Sequence, residues 1–166
     1  MAGAVVVVDA CMPEELPREG IDLRMVIPPS HAWHWEAVRL SEMGERFDDI
    51  RRAIVAVNDE VAREAGATPF PVWDFSGYRG HNTENAPARA GERPLWFWET
   101  VHFNTRLGDL VLDEVFERPA PGSQALGSRI DNGDIEAHLT DWHAARTVWA
   151  AAHAADVTEI ETLYRQ

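Results

Sequence analysis

Apolar residues along the chain fall into short β-branched runs and longer stripes at helical spacing. Ala4 to Val8 is a five-residue run ended by Asp9 and reads as a short buried strand. Ile21 to Ile27 reads as a second strand, ended by Pro28-Pro29. Ser30 is then placed to cap a short helix from His31 to about Leu40. Between Met43 and Ala65, Phe47, Ile50, Ile54, Val57 and Val61 recur at spacings of three and four, which predicts one apolar helix face. Asp48, Asp49, Arg51, Arg52, Asp59, Glu60 and Arg63 are assigned to its other faces, and Gly66 supplies a stop.

Phe70 to Phe75 is a third strand candidate, punctuated by Pro69, Pro71 and Gly77. Residues 76–94 carry Gly, Asn and Pro without a period and read as a long loop, a kind of segment often functional in compact domains. Gly108 to Phe116 predicts a helix with Leu107, Val111 and Val115 on one side, and 119–127 reads as a linker. Asp131 or Asn132 is expected to cap a helical region with Ile135, Leu139, Trp142 and Trp149 as its stripe, and Asp156 to cap a final helix. Alternating strands and helices predict an α/β fold with a parallel sheet, whose ligands bind beyond the carboxyl ends of the strands. Pro28-Pro29-Ser30-His31 and Asp74-Phe75-Ser76-Gly77 both follow strands and belong at that edge.

Composition narrows the classes. A chain of 166 residues with 45% hydrophobic content reads as one globular domain with its own core. The net charge of −13 repels phosphate backbones and argues against nucleic-acid binding. Every basic residue is Arg, a usage we attribute to genome composition. Cys11 is the sole cysteine, so no intrachain disulfide forms; without an adjacent base it reads as a small buried residue. The run at residues 4–8 is too short for a signal peptide or a membrane span, so the chain as written reads as cytoplasmic.

The densest chemistry lies in Leu95-Trp96-Phe97-Trp98-Glu99-Thr100-Val101-His102-Phe103. A carboxylate three residues before an imidazole sets its tautomer and stabilises its charged form, as a general base requires. The surrounding aromatics are expected to exclude water and strengthen the pair. Asp74, Ser30, His31, Asn82 and Trp98 are further candidates for lining a substrate site. Ser30 and Ser76 are candidate nucleophiles but read first as a helix cap and a turn residue, and Trp33, Trp35, Trp73, Trp96 and Trp98 read as core ahead of stacking platforms for sugar rings. His31 and His34 with Glu99 and His102 match no metal-ligand spacing, so no metal or cofactor is expected.

Four blocks carry a family likeness: Ile27-Pro28-Pro29-Ser30-His31-Ala32; Val72-Trp73-Asp74-Phe75-Ser76-Gly77-Tyr78; Trp96-Phe97-Trp98-Glu99 with His102-Phe103; and Gly108-Asp109-Leu110-Val111-Leu112-Asp113. From about Gly20 to Leu163 the chain resembles the C-terminal half of bacterial proteins similar to SGNH, or GDSL-like, hydrolases and polysaccharide O-acyltransferases. The resemblance implies a three-layer α/β/α sandwich, flavodoxin-like, here partial and followed by a helical extension over 119–166. It implies that His102 is the general base and Glu99 its orienting acid, where the family usually has Asp. It implies an ester or O-acyl substrate, such as an acylated cell-surface polysaccharide or a small ester. The family's nucleophilic serine follows its first strand, where this chain has Asp9-Ala10-Cys11, so the nucleophile half is expected to be absent. Longer relatives are implied to be membrane-anchored, with this domain outside the cytoplasm. Three strands instead of about five leave open edges, which predicts self-association or a complementing chain. The alternative is a truncated, non-catalytic relative acting as an interaction module.

Overall fold

The computed structural model describes residues 4–6, 21–41, 43–85, 94–118, 121–122 and 124–165, with the backbone alone at 4–6 and 45. Cys11 and the Asp9-Ala10-Cys11 stretch lie outside the described residues. The elements are β1 (Ala4–Val6), β2 (Leu23–Ile27), α1 (Ala32–Leu40), α2 (Met43–Ala65), β3 (Val72–Asp74), α3 (Thr105–Val115), β4 (Ser128–Ile130), α4 (Ile135–Ala152) and α5 (Ala154–Tyr164), with a 3₁₀ turn at Gly80–Thr83. Among the described residues no helix is long and apolar enough to cross a membrane.

The four strands form one sheet in the order β1-β2-β3-β4. β1, β2 and β3 run parallel, with Met25 opposite Val72 and Ile27 opposite Asp74. β4 pairs antiparallel with β3, so the sheet is mixed where a purely parallel one was expected. The fourth strand is only three residues long and buries Ile130 alone, too little for alternation to register in the sequence.

The period of two along β2 sorts its side chains to opposite faces. Leu23, Met25 and Ile27 join Val72, Ile130, Val55 of α2, and Ile135 and Leu139 of α4. Val26 joins Phe75, Phe97 and the α3 stripe of Leu107, Val111 and Val115. A third cluster ties Ala32 and Trp35 of α1 to Tyr78 and Trp149.

Helix α2 spans the expected residues, and of its expected face Val61 is buried and Phe47 and Ile54 pack against the core, but the centre of the buried face is turned by about one position. Ile50 and Val57 are 41% and 49% exposed, while Arg51, Val55, Asn58 and Ala62 are buried. The cause is polar. Arg51 reaches Asp74 at the end of β3, and Asn58 clasps the backbone of Phe70 through its N–H (3.1 Å) and C=O (2.8 Å). Buried polar groups with fixed partners outrank a marginal apolar stripe, because an unpaired one costs more than an exposed Ile or Val gains. We expect Asn58→Ala to lower the unfolding free energy by about 1–3 kcal/mol in urea titrations, since both Phe70 groups lose their partner. A change within about 0.5 kcal/mol would remove Asn58 from this role.

The helix caps also differ from expectation. His31, not Ser30, caps α1, its Nδ1 accepting from the Trp33 amide at 3.2 Å. α3 starts earlier than read, at Thr105, because Asn104 accepts from the Leu107 amide. Asp134 precedes α4 without a side-chain cap bond; Asp131 instead accepts from the Gly133 and Asp134 amides. Asp156 lies within the first turn of α5 and accepts from Trp33 Nε1 at 3.4 Å, joining α5 to α1.

Candidate functional site

Phe97 and Phe103 pair as an isolated antiparallel bridge, and the Trp98 amide donates to the His102 carbonyl at 2.8 Å. The segment between them is therefore a tight hairpin. Glu99 spans its tip. It accepts the amides of Val101 (2.8 Å) and His102 (2.9 Å) and pairs with Nδ1 of the His102 ring. Three residues are enough because the turn brings Glu99 back over its own backbone. The Val101 amide, with His102, holds the Glu99 carboxyl below its ordinary range.

The hairpin is anchored at the sheet edge. The His31 amide donates to the Thr100 carbonyl at 2.9 Å, and Ser30 Oγ lies 3.5 Å from the Val101 carbonyl. Ser30 and His31 follow β2, so the Glu99–His102 pair stands beyond the carboxyl end of that strand. His34 of α1 is near enough to feel the Glu99 charge, although burial pushes its imidazole down.

The aromatic run does not shield the pair. Phe97 turns into the core, Trp98 is 54% exposed, and Trp96 stacks on His81 with ring centroids 4.0 Å apart. The His102 side chain is 78% exposed. Water therefore screens the pair, and the geometry of the turn, more than a low dielectric, holds it together. Nε2 of His102 has no hydrogen-bond partner among the described residues.

The other candidates do not converge on that imidazole. His31 is buried; its Nε2 donates to the Glu84 carbonyl at 2.7 Å while Nδ1 accepts the cap bond, so both nitrogens are used. Asn82 is buried and donates to the Phe75 carbonyl at 2.8 Å. Ser30 is buried against the hairpin. These three fix loops. Glu84 does the same, its carboxylate accepting the amides of Leu95 and Trp96.

Asp74 is the centre of a second polar cluster that sequence patterning missed. Its carboxylate accepts from Arg51 Nε (2.9 Å), His138 Nε2 (2.9 Å) and the Ser76 amide (2.8 Å). Arg51 also donates to Ser76 Oγ, and Trp142 Nε1 lies 3.3 Å from the same oxygen. The guanidinium lies 4.6, 4.9 and 5.4 Å from the ring centres of Phe47, Trp142 and Trp35. Nearby, the fully buried Glu36 accepts from Arg146 twice, from Arg39 and from Tyr78. The one visible signal was Arg51 at helical spacing from Phe47, Val55 and Asn58; Asp74, Ser76 and Trp142, which it meets here, lie outside its helix.

Burial pushes the Asp74 carboxyl up, but His138, Arg51 and Ser76 outweigh it and hold it low. Burial pushes Glu36 up as well, and Arg146, Tyr78 and Arg39 outweigh it. A carboxylate depressed in the folded state contributes stability above its unfolded pKa of about 4, and that contribution is lost as pH falls through the folded value. The melting temperature should thus be insensitive to these groups above about pH 5 and fall below about pH 4. Glu36→Gln should flatten that acid limb; an unchanged slope would exclude Glu36 as a contributor.

Two cavities open near these clusters, one of about 660 Å³ between α1, α2 and α4, and one of about 260 Å³ beside Asp74 and His138. Neither is lined by Glu99 or His102. No described serine hydrogen-bonds His102; Ser76 is held by Arg51, Trp142 and Asp74. No family model, curated protein or solved structure matches this chain.

Proposed function

We propose that the chain is the acid–base part of an SGNH-like acyl-transfer domain acting on ester or O-acyl groups, such as those of a cell-surface polysaccharide. The observation that carries the reading is the Glu99–His102 contact, which engages Nδ1 and leaves Nε2 facing solvent beyond β2. In that role Nε2 takes the proton of an attacking hydroxyl, and Glu99 stabilises the imidazolium that forms. The nucleophile comes from outside the described residues or from a second chain. Apolar clusters on both faces of the sheet support a small three-layer α/β/α arrangement.

The test is labelling of the folded protein with a serine-reactive fluorophosphonate, followed by peptide mass mapping. One labelled serine whose labelling is lost in His102→Ala supports the reading and names the nucleophile. Absence of labelling in folded protein, alone or with a complementing chain, argues against it.

A second reading is an interaction module. Glu99 already serves to close the hairpin through two amides, and Leu95, Trp98 and Val101 expose apolar surface around it at 55%, 54% and 40%. This reading predicts concentration-dependent self-association that Leu95→Ser with Val101→Ser abolishes in sedimentation velocity runs. A monomer at all concentrations would count against self-association through this hairpin.

A further inference from the structure

The cavity of about 660 Å³ has the size of a small-molecule site. Its walls are the rings of Trp35, Phe47 and Trp142 with Val38, and its polar lining includes Arg39, Arg146 and His143. Donors and acceptors there are unequally satisfied. Each oxygen of Glu36 accepts two hydrogen bonds: Tyr78 and Arg146 Nε on one, Arg39 Nε and Arg146 Nη2 on the other. Each oxygen of Asp48 has a partner as well, in Arg51 and in His143. The guanidinium groups are not exhausted. Arg146 uses Nε and Nη2 on Glu36, and Arg39 uses Nε on Glu36 and Nη2 on Glu161, so Nη1 of both has no partner among the described residues.

A rigid carboxylate thus aims two guanidiniums at one ring-walled cavity with N–H groups to spare. Both side chains keep solvent access, at 35% for Arg39 and 26% for Arg146. A ligand entering this cavity meets donors and apolar rings, with the carboxylate oxygens already satisfied. We infer that the cavity between α1, α2 and α4 binds a small organic anion, a carboxylate carried on a flat ring body. The chain's charge of −13 opposes free anions at long range, so the ring contact and the charge-assisted bonds must act together. This site stands apart from the Glu99–His102 reading and does not depend on it.

The test is isothermal titration calorimetry of the whole chain with 2-naphthoate, against 2-naphthamide and inorganic phosphate as controls. Saturable one-to-one binding of 2-naphthoate is expected, with the amide and phosphate each at least about tenfold weaker. Arg39→Met should weaken 2-naphthoate by about tenfold or more, and His143→Trp, which fills the cavity from an exposed position, should abolish binding. His102→Ala should bind as the unaltered protein does, which separates this site from the acyl-transfer reading. Circular dichroism melts establish that each variant is folded, and if one fails to fold the other decides. Absence of saturable binding up to about 10 mM, equal binding of acid and amide, or wild-type binding by the folded variants would overturn the inference.

Discussion

Asp74→Ala destabilises the protein by about 3–5 kcal/mol, the usual cost of removing one partner of a buried ion pair. The side chains of Asp74 and Arg51 are both 0% exposed. Without Asp74 the Arg51 guanidinium keeps its three aromatic neighbours and Ser76, but only Asp48, at 3.3 Å and partly exposed, remains to balance its charge. The Ser76 amide and His138 lose their acceptor at the same time. The measurement is chemical unfolding of the single variants, Arg51→Met and the double variant. Arg51→Met leaves Asp74 with His138 and is expected to cost less. The double variant should recover much of the loss, because a charge-free site of similar volume avoids desolvation. A loss below about 1 kcal/mol for Asp74→Ala would mean that water reaches the site and that the network adds little.

His102→Ala lowers any esterase rate of the assembled protein by about 100-fold, the lower range of a general base's contribution. On the acyl-transfer reading the fall should appear in kcat, because a general base would act on the proton in transit and not on the resting substrate. The variant also separates chemistry from folding. Glu99 holds the hairpin through the backbone amides of residues 101 and 102, which the substitution keeps, and the lost ring is exposed. Stability should therefore change by less than about 0.5 kcal/mol. Glu99→Gln differs, since it weakens both the imidazole partner and the tip of the hairpin. A near-wild-type rate in folded His102→Ala would remove His102 from the mechanism and leave the interaction-module reading.

Several local features of this protein are legible in residue order. The bounds of α2 follow from its spacing and Gly66, and the Leu107, Val111 and Val115 stripe of α3 is buried as read. The contact of Glu99 with His102 is equally local, because a three-residue separation closes in any tight turn. The exposure of that pair was not legible. It depends on Phe97 turning into the core while Trp98 turns out, a choice made by the packing of α3 and β2 beneath the hairpin.

Periodicity, caps and turn residues act over a few positions, and so the order of residues alone determined where most helices and the Glu99–His102 turn form. Tertiary structure decided which face of α2 is buried, that a fourth strand pairs antiparallel with β3, and that Asp74, Arg51 and His138 meet. It likewise brought Glu36 to Arg146, 110 positions away. The physical reason is common to all of these. A polar residue looks solvent-facing in sequence until a distant partner compensates its desolvation, and only the folded chain supplies that partner.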